Sequence, residues 1–390
     1  MRLLSRLERG NIVSLIAIAG FRGLRDNLRQ VVWQPYVLSL GFSMQRLGNL
    51  ESLMDLTRIL FQPAVGAASD TYGRKRFLVI RELLILLALM SLVFAQSWHL
   101  LAVSMVLVGL NWAFFPVWNS LIAESTEPER MGFSFSLIGS AYTGLGLVGT
   151  LSAGYLAESY GFSIVYVISS VFGLLSLIMT YATLDESLER GDRDDFTMGR
   201  AVKSLIASLK PPERVRGFYI AMGVDLFAFS LGYRILNGML TESYGYTPYM
   251  LGLMSAVMIG SMSLSQIFVG RYVDKVGYSR YLATSQILSC VFLGITLYTK
   301  HFHFILLGMI LMGVASALWG PAEQAWIARN VDSRERAQSL GSYATFRALV
   351  SFPAPSIGGL LYEVYGFDIP VGLNMALALI NAIMILKMVD

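Results

Sequence analysis

Residues 66–78 read GAASDTYGRKRFL, and residues 270–282 read GRYVDKVGYSRYL. Laid over each other at an offset of 204, the two stretches place Gly66 on Gly270, Asp70 on Asp274 and Gly73 on Gly277. The same shift puts GFSMQRLG (41–48) on GYTPYMLG (245–252). An offset of 205 puts PVWNSLIA (116–123) on PAEQAWIA (321–328) and GYLAESYGF (154–162) on GLLYEVYGF (359–367). Four separate matches at a nearly constant offset mean a duplicated unit.

The surrounding composition says what kind of unit. Of 390 residues, 55% are hydrophobic and only 14% are charged, against roughly 25% charged in ordinary soluble domains. Apolar runs of about 20 residues recur, each long enough to cross a hydrocarbon core of roughly 30 Å. They fall near 11–40, 44–68, 77–96, 98–123, 132–157 and 162–184, then near 215–240, 247–270, 279–299, 302–328, 335–361 and 367–388. The expected architecture is an all-α polytopic membrane protein with twelve transmembrane helices in two parallel-repeat six-helix bundles. Its expected divisions are 1–185, a cytoplasmic linker at 186–213, and 214–390. Within the linker, Met198, Val202, Leu205, Ile206 and Leu209 recur at helical spacing, as in an amphipathic helix lying on the membrane surface.

Lysine and arginine set the orientation. Arg74, Lys75, Arg76, Arg130, the 186–214 interval, Arg271, Lys275, Arg280, Arg329, Arg334 and Arg336 fall on one side, while the other holds little beyond Arg46 and Lys300. The first side, with both termini, is expected to be cytoplasmic in a plasma-membrane protein. The net charge of +4 reflects this asymmetry and implies no nucleic-acid partner. A single cysteine, Cys290, and three unclustered histidines offer neither a disulfide framework nor a metal site. No phosphate-binding GxxxxGK[ST] loop is present. Neither cofactor nor enzymatic constellation is expected.

GAASDTYGRKR resembles the GxxxDxxGR[K/R][K/R] signature of the major facilitator superfamily, and GRYVDKVGYSR is similar to its degenerate second copy. The resemblance covers essentially the full chain. It implies secondary transport by alternating access, and a gating role for Gly66, Asp70, Gly73 and Arg74, with Asp274 and Gly277 in the second copy. In that family Asp70 would latch onto the start of the eleventh helix. Physically, the glycines permit close approach and a tight turn, and Asp70 can pair with Arg74. A basic loop serving topology alone is the plainer reading. The chain departs from the drug-exporter pattern: Met105 stands about where many such exporters carry a helix-4 arginine, and the helix-5 pattern survives only as GTLSAG (149–154).

Charge inside the apolar runs marks candidate sites. FRGLRDNLRQ (21–30) puts Arg22, Arg25, Asp26 and Arg29 on an arc of about 100° of the first helix, and Glu51, Asp55 and Arg58 fall within about 60° on the second. A charge at the bilayer centre costs roughly 2.5–3.5 kcal/mol even on mild scales, so these side chains must face each other or water. They serve either as ion pairs holding two helices together or as a functional pocket. The second copy lacks the cluster, with Ser255, Ile259 and Met262 at the equivalents of Glu51, Asp55 and Arg58. In the second half, Asp225, Glu323 and Arg347 are further candidates, while Asn111, Trp112, Trp118, Asn119 and Trp319 could line a cavity.

The functional expectation is a monomeric secondary transporter of a small-molecule substrate, driven by a coupling proton, with efflux of drug-like or amphiphilic compounds as the first reading. Asp55 or Glu51 would carry the proton, with Arg25, Arg29 and Arg58 setting its affinity and meeting substrate. Transport of organic anions such as phosphorylated or carboxylated metabolites, and a lipid-handling or non-transporting receptor role, are the alternatives. For the topology, cysteines introduced at Ser43 and Ser204 should label from opposite faces of the membrane with an impermeant reagent; labelling from the same face contradicts the orientation.

Overall fold

A computed structural model describes residues 11–187, 199, 213–269, 277–330 and 336–389. The described residues are helical with short turns and contain no strand. We number the helices α1 (Ile12–Ser39), α2 (Met44–Tyr72), α3 (Arg74–Val93), α4 (Trp98–Ala113), α5 (Phe115–Glu124), α6 (Met131–Tyr160) and α7 (Phe162–Thr183). There follow α8 (Arg216–Leu231), α9 (Leu236–Tyr244), α10 (Pro248–Val269), α11 (Tyr278–Tyr298), α12 (Phe302–Asn330), α13 (Arg336–Ser351), α14 (Ala354–Tyr365) and α15 (Asp368–Met388).

Three pairs are single rods interrupted once. α4 and α5 meet at Phe114, just ahead of Pro116. α8 and α9 meet through a 3₁₀ turn at Tyr233–Ile235. α13 and α14 meet at Pro353. Proline cannot donate the helical hydrogen bond, which accounts for the first and third breaks. Joining the pairs leaves twelve rods, as the apolar runs predict. Among the described residues eight rods are long and apolar enough to cross a membrane. α1, α2, α3 and the α13–α14 pair fall outside that set, and the first three carry intramembrane charge at Arg25, Asp55 and Glu82. On α7, Val167, Val171, Leu174 and Ile178 are exposed at helical spacing, the outward apolar stripe that lipid demands. The chain is a multi-pass membrane protein.

The chain forms two compact units, Met1–Tyr36 with Leu53–Val202, and Val37–Ser52 with Lys203–Asp390. Inside the first, α3 packs on α4 and α7; inside the second, α11 packs on α12 and α15, the equivalent neighbours. Residues 37–52 belong with the second unit because glycines there admit backbone contact. A Cβ on Gly359 would lie 2.4 Å from the Met44 carbonyl oxygen, and one on Gly48 would lie 2.2 Å from that of Pro355. The Ser356 N–H donates to Ser52 Oγ at 3.1 Å. Most of the linker, including the proposed amphipathic stretch, lies outside the described residues.

The duplication is visible in the backbone itself. Every positive-φ residue among those described is a glycine, and the six pair at the sequence offsets: Gly41 with Gly245, Gly73 with Gly277, Gly161 with Gly366. Helix crossings repeat as well. A Cβ on Gly109 would fall 2.4 Å from the Met54 carbonyl oxygen, and one on Gly313 would fall 2.5 Å from that of Met258. Gly109→Ala and Gly313→Ala should therefore each destabilise the protein by about 1–3 kcal/mol. Gly144→Ala, where no atom lies within 4 Å, should not. Thermal unfolding of the three variants in detergent checks this, and equal midpoints would refute the paired crossings.

Candidate functional site

In the first unit the charged face of α1 finds its partners on α3. Arg25 is fully buried; its Nε donates to Asp26 Oδ1 at 2.8 Å and its Nη1 to Glu82 Oε2. A Cβ on Gly173 of α7 would touch the Arg25 stem at 3.4 Å, so Arg25 occupies the packed interior of the bundle. Arg22 lies 3.6 Å from the other oxygen of Glu82, with its guanidinium 4.1 Å from the centre of the Trp118 ring. Arg81, on α3, is 1% exposed and stands 5.8 Å from the same ring. Its Nε donates to the Asn111 carbonyl at 3.3 Å, while Asn111 Nδ2 returns a bond to the Arg81 carbonyl at 2.8 Å. Arg29 is buried one turn beyond Arg25.

The three α2 candidates separate. Asp55 lies 3.7 Å from Arg58 within the first unit. Glu51 falls among the residues of the second unit, where Arg234 Nε donates to its Oε2 at 3.1 Å. Each acid has an arginine partner.

The second unit gathers three candidates that the sequence offers singly. Arg347 on α13 donates Nη2 to Asp225 Oδ2 at 3.3 Å and Nη1 to Glu323 Oε1. The Tyr343 hydroxyl also donates to Glu323 Oε1, and Gln286 Nε2 donates to Asp225 Oδ1. One guanidinium thus serves two carboxylates from α8 and α12. Beside Asp225 is a small cavity of about 30 Å³, lined also by Tyr233, Gln286, Ser289 and Asn374, roomy enough for water.

The signature loop is tied from three sides. Arg74 pairs with Asp70 and donates through Nε and Nη2 to Glu124 Oε1 at 3.1 and 3.0 Å, and through Nη1 to Ser69. Glu186 accepts the backbone N–H groups of Arg74 and Lys75 at the start of α3, at 2.7 and 3.2 Å, an anion at a helix N-terminus. Gly73 is required twice: its φ is +104°, and a Cβ there would strike the Glu186 carboxylate. Gly66 behaves otherwise than expected. Nothing described lies within 4 Å of a Cβ built on it, so close approach does not explain it. In the second copy Gly277 keeps the left-handed turn, with φ +97°, and Asp274 lies outside the described residues.

A family model for the Major Facilitator Superfamily matches residues 15–231 and again 218–390. This chain is a member of that superfamily. It is similar to multidrug resistance protein MdtG of Dickeya zeae, 27% identical over 373 residues, covering 93% of this chain and 90% of that protein. It is also similar to MdtG of Salmonella arizonae, 23% identical over 339 residues, covering 86% of this chain and 83% of the relative. The fold matches that of the solved nucleoside transporter NupG at a TM-score of 0.78 and 14% identity, covering 97% and 99% of the two chains. It matches the human organic anion transporter MFSD10 at 0.70 and 16%, covering 97% and 100%. The protein is thus a small-molecule transporter of a family that is not an enzyme class.

Arg81 and Glu82 of this superfamily member escape a reading built on the α1 and α2 stripes. Their signal is RE set between LVI and LLILL, two opposite charges in an apolar helix. Gln286 and Tyr343 escape it too, because uncharged polar residues are common in such helices. Arg25 with Asp26 and Glu82 is a buried salt-bridge cluster whose members depend on one another. Arg25→Met should cost about 3–5 kcal/mol by leaving Asp26 without its bonded partner and Glu82 with Arg22 alone. Adding Asp26→Asn should recover part of that loss in a thermal or urea unfolding assay, whereas adding Glu82→Gln should not, because Arg22 still holds that acid. A neutral single substitution, or no recovery, would remove the cluster's structural role.

Proposed function

We propose that this transporter is a proton-coupled exporter of drug-like or amphiphilic compounds, working by alternating access as a monomer in the plasma membrane. Support for the cargo class comes from the relatives named multidrug resistance protein MdtG, which match over most of the chain. Support for proton coupling rests on one observation, the sharing of Arg347 by Asp225 and Glu323. Two carboxylates against one guanidinium leave one negative charge in excess within the helix bundle. In low dielectric the least costly way to remove that excess is a proton on one of the acids.

Arg347 joins the two acids into one bonded group, so the proposed proton is assigned to the pair rather than to either residue. Asp225 lines the neighbouring cavity, which is large enough to hold water. A change in solvent access, or a cationic substrate approaching the pair, would shift the proton on or off, which is the coupling step. On this reading the coupling proton resides at Asp225 and Glu323 rather than at Asp55 or Glu51, each of which already stands beside an arginine. Organic-anion transport is the second reading, favoured by the arginine surplus of the first unit.

Asp225→Asn and Glu323→Gln should each lower pH-gradient-driven flux in proteoliposomes by at least ~10-fold, a barrier change of roughly 1.4 kcal/mol, while substrate exchange without a gradient persists. Arg216→Gln, at an exposed position at the start of α8, should keep its coupling. Intact gradient-driven flux in both acid variants would overturn the assignment.

A further inference from the structure

The two units carry the same node with opposite surpluses of charge. At the offset of 204, Arg81 corresponds to Ser285, Glu82 to Gln286 and Asn111 to Ala315. At 205, Trp118 corresponds to Glu323 and Tyr142 to Arg347. The local bond is conserved between them: Ser285 Oγ donates to the Ala315 carbonyl at 2.8 Å, and Arg81 Nε donates to the Asn111 carbonyl at 3.3 Å. A serine is therefore enough for this structural task. Arg81 performs it with one of five N–H groups, and its remaining guanidinium stays buried with the chain's helices around it.

Where the second unit places the carboxylate of Glu323, the first has the ring of Trp118, with Arg22 and Arg81 both set against its face. Glu82, the nearby acid, directs one oxygen at Arg25 and the other at Arg22. Among the described residues Arg81 and Arg29 make no ion pair within the usual contact distance. Four arginines thus stand against two carboxylates, Asp26 and Glu82. Each arginine has a buried nitrogen without a hydrogen-bond partner: Arg22 Nε, Arg25 Nη2, Arg29 Nε and Arg81 Nη1.

A surplus of carboxylate can be closed by a proton. A surplus of guanidinium cannot, because arginine does not deprotonate in proteins. It requires a negative ion. Arg81 lies seven residues into α3, about 10 Å along the helix from its first residue, and is 1% exposed.

We propose that the first unit binds a compact monovalent anion beside Trp118, held by the guanidinium groups of Arg22 and Arg81. The ion is of halide or small-carboxylate size, its source being either inorganic salt or the anionic group of a transported solute. This proposal does not rest on the export reading, since its readout is binding.

The test uses the full-length protein in detergent, exchanged into sodium gluconate at constant ionic strength. Chloride and bromide, added singly, should raise the thermal midpoint by several degrees and saturate; acetate and benzoate form the parallel arm. Saturation by the halides identifies an inorganic resident ion, and saturation by the carboxylates alone identifies the anionic group of a solute. Arg81→Met should weaken the apparent affinity of the effective anion at least ~10-fold. Arg216→Met, at an exposed position at the start of α8, should leave it unchanged. Should Arg81→Met not fold, a bromide-soaked crystal of the unaltered protein decides: an anomalous peak within hydrogen-bonding distance of Arg81 and Arg22 is expected. Equal midpoints in all five salts, dependence surviving Arg81→Met, or no bromide peak there would overturn the proposal. A protein inactive in proton-driven flux yet stabilised by the anion would overturn the export reading alone.

Discussion

Arg25 holds Asp26 and Glu82 at once, wholly inside a helix bundle, and the arrangement of the first unit follows from the cost of leaving any of the three alone. In a membrane there is no water to accept an unpaired charge, and losing one partner of a buried pair strands the other. The pairing therefore fixes which helices meet: α1 presents its arginines to α3, and Gly173 on α7 leaves room for the Arg25 stem. It also accounts for the composition of α1 and α3, which carry more charge than a lipid-spanning helix tolerates unless that charge is turned inward. The apolar stripes of helices such as α7 complete the exchange with lipid.

Duplication supplied a second bundle in which the backbone rules are kept and the chemistry is changed. Turn glycines and close helix crossings recur at the offset because φ above zero and sub-van-der-Waals approach admit nothing larger. Side chains at the equivalent polar positions carry no such restriction. Gln286 occupies the position equivalent to Glu82, and Glu323 the position equivalent to Trp118. One scaffold thus holds an arginine-rich node in the first unit and an acid-rich node in the second. That division suits a transporter: a group that gains and loses a proton should be an acid in partial excess, whereas a fixed positive charge orients anions without titrating.

Much of the fold was legible because it rests on patterns with few physical solutions. Runs of apolar length, positive-φ glycines and a repeated signature leave little freedom, and the twelve rods fall where the runs lie. The sites were less legible. A helical wheel shows that Arg22, Arg25, Asp26 and Arg29 share a face, but not which neighbour receives it; α3 does, through Glu82, and Glu51 of α2 is paired with Arg234 instead. Asp225, Glu323 and Arg347 were each visible as isolated charges. Their convergence on one guanidinium depends on the crossing of α8, α12 and α13, which no local pattern encodes. Arg81 and Glu82 lie on α3, outside the α1 and α2 stripes, and only the meeting of α1 with α3 brings Glu82 to Arg22 and Arg25.

The signature loop shows how a short sequence couples remote parts of one unit. Glu186, immediately after α7, accepts the first N–H groups of α3, and Ser187 donates to Glu124 at the end of α5. Glu124 in turn holds Arg74, which pairs with Asp70. The loop between α2 and α3, the end of α5 and the first residues of the linker therefore form one polar assembly. Displacing Arg74 would free Glu124 and Asp70 together, and displacing Glu186 would expose the N-terminus of α3 and relax the demand on Gly73. A partner able to compete for any one of these groups would loosen the others, because each carboxylate is held by a donor that another member positions. The strength of the signature lies in that mutual dependence, which the GxxxDxxGR spacing makes possible by bringing a left-handed glycine, an acid and an arginine to one turn.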